Sequence, residues 1–192
     1  MRNSSILRKT IHYLLKMLNV NSGTVIKATA NAGNPTISIY EININTITGE
    51  PLRLSTFRGK AMLLVNTASA CGYTGQYADL RKLQEMYNEK LIVIGFPSND
   101  FGKQEPGTHE EIRNFCTENF NITFPLTEKI HVAGENRHPV YQWLTTSELN
   151  GWNNHQPGWN FCKYLIDGQG RLKGFYSEKV NPLDSTILND LE

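Results

Sequence analysis

The stretch AMLLVNTASACGYTGQYADLRKLQEMYNEKLIVIGFPS, residues 61–98, decides the fold. AMLLVNTAS and LIVIGFPS are continuous apolar runs, which are typical of strands buried on both faces. Between them, Tyr77, Leu80, Leu83 and Tyr87 recur at helical spacing. A strand, a helix and a second strand joined by short connections predict a right-handed βαβ unit with a parallel strand pair.

The segments on either side extend this unit into an α/β domain. TISIYEININT alternates apolar and polar residues and predicts one strand of an N-terminal β-hairpin that turns at GEP, residues 49–51. After the unit, THEEIRNFCTENF predicts a helix with a capping box of Thr108 and Glu111, FPLTEKIHV a strand, and HPVYQWLTTSEL a helix. NFCKYLIDGQGRLKGFYS predicts a β-hairpin, and PLDSTILNDLE a closing helix with Pro182 in its first turn. The predicted class is α/β, a mixed central sheet flanked by helices.

Size and charge exclude several classes of protein. The 192 residues fit one domain, and an apolar share of 39% is enough for a core. A net charge of +1 gives no basic footprint for nucleic acid. No apolar run reaches the length of about 18 residues that a membrane-spanning helix needs.

The first 34 residues differ from the rest of the chain. No acidic residue precedes Glu41, and this stretch predicts an N-terminal arm or a presequence, with a short helix over residues 5–18. The expected location is cytoplasmic, with export or organellar targeting through this segment as the alternative. The basic residues of the segment are Arg2, Arg8, Lys9, Lys16 and Lys27.

Three cysteines, Cys71, Cys116 and Cys162, are widely spaced along the chain. This spacing excludes a compact CxxC zinc site and argues against a dense disulfide framework. The histidines show no metal-ligand spacing, so no metal is expected. The pattern suits a mostly reduced protein whose thiols can react.

Cys71 lies in a loop of small residues where the first buried strand ends. Ligands and chemistry gather at the carboxyl ends of strands in α/β sheets, and a following helix N-terminus favours a thiolate. A free cysteine is also a good small hydrophobe for filling space. From position alone, both interpretations stay open.

Two further segments fall at or beside predicted strand ends. Gln104 lies in the loop FPSNDFGKQEPG, residues 96–107, and Trp159 and Asn160 lie in HQPGWNF before the last hairpin. Taken singly, these residues suit a surface amide, a core anchor and a turn residue. Taken with Cys71, they are neutral hydrogen-bond donors that could hold a sulfur anion and protonate the oxygen leaving a peroxide.

At these residues the chain resembles a known family. VNTASACGYT, FPSNDFGKQEP and WNFCKYL resemble the three signature stretches of the glutathione peroxidases. The similarity runs from about Thr36 to Glu192, and the domain that it implies spans residues 35–192. The resemblance implies a thioredoxin-like fold and the reduction of hydrogen peroxide and organic or lipid hydroperoxides. It also implies re-reduction by glutathione or thioredoxin as co-substrate, with no bound cofactor. The family's catalytic tetrad would fall on Cys71, Gln104, Trp159 and Asn160.

The chain departs from the family pattern at positions that bear on how a sulfenate at Cys71 is reduced back to a thiol. Many cysteine-type relatives read FPCNQFG, whereas this chain has Ser98 and Asp100. Thioredoxin-dependent relatives carry a resolving cysteine on the next helix, at a position taken here by Thr117. Cys116 lies one residue earlier, which is about 100° around a helix.

The resolving thiol therefore stays open. Cys116 is either that thiol or a buried apolar residue, and Cys162 is a less favoured second candidate. Direct reduction by glutathione is a third route. The short connection between Leu149 and Trp159 resembles monomeric members of the family, so we expect a monomer.

Rival functions share parts of this chemistry. A thiol redox sensor, which passes its oxidation to a partner protein, would begin with the same oxidation of Cys71. A peroxiredoxin would need a proline in the loop before the cysteine, and a disulfide oxidoreductase would need a second cysteine where Thr74 stands.

Overall fold

The computed structural model describes residues 23–191. Their fold is built around a five-stranded mixed sheet. The order across the sheet is β1-β5-β4-β2-β3, in which β2 and β3 are parallel and the other neighbours are antiparallel. The predicted βαβ unit and the predicted C-terminal hairpin are confirmed. The strands are β1 Val25–Lys27, β2 Ala61–Thr67, β3 Leu91–Pro97, β4 Lys163–Ile166 and β5 Leu172–Tyr176.

Five α-helices flank the sheet: α1 Gln76–Met86, α2 His109–Phe120, α3 Pro139–Leu144, α4 Ser147–Asn150 and α5 Ser185–Leu188. The predicted capping box of α2 is present. The Thr108 hydroxyl accepts a hydrogen bond from the Glu111 N–H (3.2 Å), and the Thr108 N–H donates to the Glu111 carboxylate (2.7 Å). These bonds satisfy N–H groups that a helix N-terminus otherwise leaves without partners.

The sheet separates two apolar layers. Alternate residues of β2 point to opposite sides, so Leu63 and Val65 pack with α1 and α2, whereas Met62 and Leu64 pack with α3. We call these sides the α1–α2 face and the α3 face. Since residues 62–67 of β2 are all buried, the strand that leads to Cys71 is held from both faces.

Two predicted strands do not form. Ile39–Glu41 is a 3₁₀ helix, and the N-terminal hairpin is reduced to one antiparallel bridge between Asn45 and Pro51. Ile39 and the next residue, Tyr40, are both buried on the α3 face, which a strand with alternating sides could not achieve. FPLTEKIHV makes only isolated bridges, because Pro125 has no N–H with which to extend a ladder along β3.

Two predicted helices have different bounds. HPVYQWLTTSEL contains the two short helices α3 and α4, separated at Thr145 and Thr146. The closing helix α5 is capped by Asp184, whose carboxylate accepts from the Thr186 N–H, so Pro182 precedes the helix. Within residues 23–191, no helix has the length and apolar character needed to cross a membrane.

The sheet begins inside the segment expected to be an arm. Val25–Lys27 is an edge strand that pairs antiparallel with β5, and the Lys27 ammonium bonds to the Asp190 carboxylate (2.8 Å). Val25 and Ile26 are β-branched and suit an edge strand. The helix predicted over residues 5–18 and the presequence lie outside the described residues.

Candidate active site

The loop between β2 and α1 fixes Cys71 through local hydrogen bonds. The Thr74 hydroxyl accepts from the Cys71 N–H (3.0 Å) and donates to the Ala68 carbonyl (2.9 Å). The Tyr73 N–H points at the Cys71 sulfur, with 3.5 Å between N and Sγ. Cys71 is half-buried and packs against the α1–α2 face, so the loop holds a partly exposed cysteine in a fixed position beside a backbone donor.

The loop after β3 brings Gln104 to the Cys71 loop. Left-handed φ angles at Gly102 (61°) and Lys103 (55°) turn the chain back on itself. The Gln104 carbonyl accepts from the Ala70 N–H (3.0 Å), immediately before Cys71. The two predicted segments are therefore in direct contact.

Trp159 and Asn160 are held beside the same loops by a residue that the sequence analysis missed. The Asn66 side chain donates to the Trp159 carbonyl (2.9 Å), and the Asn66 carbonyl accepts from the Phe161 N–H (2.6 Å). The Trp159 ring packs against Phe101, with 5.9 Å between ring centroids. Asn66 is fully buried, and an amide inside an apolar strand was the signal that could have revealed it.

The three neutral donors differ in whether they are already bonded. The Asn160 amide nitrogen donates to Gln104 Oε1 (3.0 Å), with the Phe101 carbonyl 3.5 Å away. Within residues 23–191, the Gln104 amide nitrogen and the Trp159 indole nitrogen make no hydrogen bond. Asn160 therefore orients Gln104, and the other two donors are free for a ligand.

The structure places the other two cysteines on opposite faces of the sheet. Cys116 is fully buried on the α1–α2 face, against which Cys71 also packs, whereas Cys162 is fully buried on the α3 face. Thr117, at the usual resolving position, is exposed. All three thiols are free.

Burial dominates the acidity of both buried thiols. It raises the pKa of Cys116 to about 11, with the nearby Tyr77 hydroxyl opposing the shift and Glu105 adding to it. Burial likewise raises the pKa of Cys162, opposed by the backbone at Trp159. Neither thiol is therefore a ready thiolate in the folded chain.

Asp100, where many relatives have glutamine, has a structural role here. Its carboxylate accepts from the backbone N–H groups of Val132 (2.6 Å) and Ala133 (3.0 Å) and pairs with His131 (2.7 Å). Burial would raise the pKa of Asp100, but these hydrogen bonds lower it overall. Ser98 is fully buried, and it supplies no thiol.

A buried carboxylate beside the Cys71 loop was also missed. Glu105 is 1% exposed, and burial raises its pKa to about 7, against the interactions of the carboxylate with Ser69 and Lys129. A glutamate in a Pro- and Gly-rich loop is usually exposed to solvent, so its burial could not be predicted from residue type. The described residues contain no group of three or more side chains suited to a metal.

Comparison with known proteins identifies the family. The glutathione peroxidase family model matches residues 39–145. Glutathione peroxidase homolog BsaA of Bacillus subtilis is 40% identical over 159 residues, which is 81% of this chain and 99% of that protein. This chain belongs to the glutathione peroxidase family. The hydroperoxy fatty acid reductase gpx1 of Synechocystis sp. is 41% identical over 172 residues, covering 85% of this chain and 98% of that protein.

Solved structures confirm the predicted fold. The crystal structure of Trgpx in its apo form, 31% identical, superimposes with a TM-score of 0.61 over 81% of this chain and 94% of that one. A thioredoxin family protein from Chlorobium tepidum, 17% identical, gives a TM-score of 0.59 over 85% and 99% of the chains, which shows the fold alone. Together with the family match, this makes the chain a thioredoxin-like α/β protein and a thiol peroxidase that acts on hydroperoxides.

Proposed function

We propose that Cys71 is the peroxidatic residue of this glutathione peroxidase homologue and that Cys116 resets it. One observation carries the proposal: Cys71 lies in the loop that contacts Gln104, whose side chain is held by Asn160. This contact supports a site in which neutral donors near the Cys71 loop assist the attack of a thiolate on a peroxide.

In the first step the Cys71 thiolate attacks one oxygen of the hydroperoxide. The O–O bond breaks, the sulfur is oxidised to sulfenic acid, and the departing oxygen takes a proton and leaves as water or an alcohol. The free N–H groups of Gln104 and Trp159 stabilise the charge that develops on that oxygen. Asn160 acts through Gln104, so it is a positioning residue.

In the second step the Cys116 thiol attacks the sulfenic sulfur. A disulfide forms and water leaves, after which a thioredoxin-type dithiol reduces the disulfide. The shared α1–α2 face supports this route over Cys162, which lies across the sheet. Since Cys116 is fully buried, α2 must open locally before the two sulfurs meet. Glutathione acting directly on the sulfenic acid is the alternative reductant.

The remaining expectations complete the proposal. We expect a monomer that accepts hydrogen peroxide and organic or lipid hydroperoxides, and the short connection between residues 149 and 159 supports an open site. Three free thiols favour a reducing compartment such as the cytoplasm, with an organelle or export as the alternative.

A turnover assay on the full chain tests the proposal. Wild type should consume hydrogen peroxide steadily with thioredoxin and its reductase, whereas Cys71→Ser should lose about 10³-fold or more of the rate, since the nucleophile is gone. Normal turnover by Cys71→Ser would refute the mechanism. A single stoichiometric burst by wild type, with either thioredoxin or glutathione, would indicate a redox sensor.

A further inference from the structure

The loop after β3 is closed by a hydrogen bond that the proposed mechanism does not use. The Asn99 side chain accepts at Oδ1 from the Glu105 N–H, with 2.9 Å between the two atoms. The two residues are six positions apart, and Gln104 lies between them, directly before Glu105. An asparagine oxygen that accepts from the backbone further along the chain fixes the shape of a turn. The bond therefore restrains the loop that carries Gln104.

The same peptide group is held from its other edge by the Cys71 loop. The Gln104 carbonyl and the Glu105 N–H belong to one planar trans peptide group and point in opposite directions. The carbonyl accepts from the Ala70 N–H (3.0 Å), and the N–H donates to Asn99 (2.9 Å). Two bonds at opposite edges restrain this peptide group against rotation. They also link Asn99 to the residue immediately before Cys71.

The backbone inside the loop needs such a restraint. Gly102 and Lys103 both have left-handed φ angles, of 61° and 55°. Glycine adopts this conformation freely, but it is unfavourable for lysine, whose Cβ approaches the backbone. The loop therefore does not take this shape through local preference alone, and contacts at its ends must stabilise it.

The bond to Asn99 also satisfies a backbone group that is shielded from water. Glu105 is 1% exposed, so its N–H would lack a partner if the Asn99 oxygen were removed. An unpaired N–H inside a protein is unfavourable, and the chain shifts to find it another acceptor. Such a shift at Glu105 would move the neighbouring Gln104 away from its place beside the Cys71 loop.

We infer that Asn99 is a positioning residue for Gln104 in the peroxide step. The inference rests on the proposed role of Gln104 and names the side chain that fixes its backbone. The Gln104 side chain is held separately, because Asn160 donates to its Oε1 atom (3.0 Å). Together the two asparagines leave the free amide nitrogen of Gln104 one direction. A donor that is fixed before the reaction stabilises the charge on the departing oxygen without having to reorganise.

A double-mutant cycle on the full chain tests the inference. Quenched-flow dimedone trapping measures the rate at which hydrogen peroxide forms sulfenic acid at Cys71, on the plateau of the pH profile. Asn99→Ala should react about 10-fold more slowly than wild type, because the donor it positions is displaced. In a Gln104→Ala background the same change should slow the reaction less than about twofold, since the positioned group is gone. A residue that only stabilises the fold would give the same factor in both backgrounds.

Two further variants sharpen the cycle. Asn99→Asp keeps the acceptor oxygen and should stay within about threefold of the wild-type rate. Asn154→Ala is the matched control, because it removes a bond of the same kind, from the Ser147 N–H to Asn154 Oδ1 (2.7 Å). It should react as wild type does. If Asn99→Ala does not fold, Asn99→Ser replaces it in the cycle, because the serine oxygen lies one bond closer to the backbone.

The outcomes separate this inference from the mechanism on which it rests. Wild-type reactivity in Asn99→Ala, or equal slowing in both backgrounds, overturns the role of Asn99 alone. An Asn99→Asp protein as slow as Asn99→Ala overturns it too, because the acceptor is present. Full reactivity of Gln104→Ala removes Gln104 and Asn99 from the mechanism together. Absence of any sulfenic acid at Cys71 in wild type overturns the whole proposed mechanism.

Discussion

Cys116 and Cys162 are equally buried thiols in very different places. Each is fully buried and each has a pKa raised by burial, so exposure and acidity do not distinguish them. Their positions relative to the sheet do distinguish them, because Cys116 shares the α1–α2 face with Cys71 whereas Cys162 packs on the α3 face. We therefore expect the side of the sheet to decide which thiol meets an oxidised Cys71.

The two cysteines also differ in how firmly they are held. In α2, Ile112 and Cys116 are buried, and Phe115 and Phe120 are partly buried against the same core, so the helix lies at the surface and can open without disrupting the sheet. Cys162 directly precedes β4, where its carbonyl accepts from the Asn66 N–H (3.4 Å). Releasing Cys162 would therefore disrupt the middle of the sheet.

The largest expected effect is on thioredoxin-dependent turnover of paired cysteine variants. Cys116→Ser should lose about 100-fold of that activity while keeping the first-turnover reaction with peroxide, because only the resetting step is removed. Cys162→Ser is the control and should stay within about twofold of wild type, since the serine is nearly isosteric. The reverse ranking in a coupled reductase assay would contradict the assignment of the two faces.

The second prediction concerns the peroxide step, which should depend on neither buried thiol. Gln104→Ala and Asn160→Ala should each slow sulfenic acid formation about 10- to 100-fold, because they remove a donor and the side chain that orients it. Stopped-flow tryptophan fluorescence or dimedone trapping measures this rate. Gln156→Ala, an exposed amide near the same segment, should react as wild type does. Full reactivity of Gln104→Ala would remove Gln104 from the mechanism.

The third prediction tests how firmly the strand next to Cys162 is anchored. Lys163 is fully buried, and its ammonium donates to the carbonyls of Ser177 and Val180. Burial lowers the pKa of Lys163 to about 7, so between pH 7 and about 10.5 the unfolded chain binds more protons than the folded one. Folding stability should thus rise with pH across this window.

Urea unfolding at pH 7 and pH 8 measures that contribution. The free energy of unfolding of wild type minus that of Lys163→Met should increase by about 1 kcal/mol over this interval. Subtracting the variant removes the titration of groups common to both proteins. A difference that stays constant would mean that Lys163 keeps its proton when buried.

The smallest expected effect comes from loosening α2. Thr108→Ala removes the cap and should destabilise the helix by about 1 kcal/mol, which raises the open population about fivefold. Disulfide formation at Cys116 should become faster by up to that factor, as measured by alkylation. Asp184→Ala removes a comparable cap from α5 and should leave that rate unchanged. An unchanged rate in Thr108→Ala would show that opening of α2 does not limit resolution.

The central βαβ unit and the last hairpin could be predicted because their patterns are strong. Continuous apolar strands and helical spacing agree with the final packing, and the Thr108 capping box is a local motif that needs no tertiary contact. The strand predicted for TISIYEININT was wrong, because alternation is a local pattern. The burial of both Ile39 and Tyr40 depends instead on packing with α3, which is distant in the sequence. The pairing of Val25–Lys27 with β5 joins segments about 150 residues apart, which local pattern cannot show.

The candidate site shows the same difference between local motifs, which can be predicted, and long-range contacts, which cannot. Cys71, Gln104, Trp159 and Asn160 stand in recognisable motifs, so the sequence could propose them as site residues. Asn66 could have been noticed as an amide inside an apolar strand, whereas the burial of Glu105 depends on contacts between loops that are distant in the sequence. The direction of the Cys116 side chain could be determined only from the structure of α2, in which Cys116 is buried and Thr117 is exposed.

Peptide mapping of the oxidised protein tests the central claim most directly. The full chain is treated with one equivalent of hydrogen peroxide, alkylated without reductant, digested and analysed by mass spectrometry. The account predicts a disulfide between Cys71 and Cys116, with Cys162 recovered as an alkylated thiol. A disulfide between Cys71 and Cys162, or a Cys71 sulfenic acid that persists beside two free thiols, would contradict it.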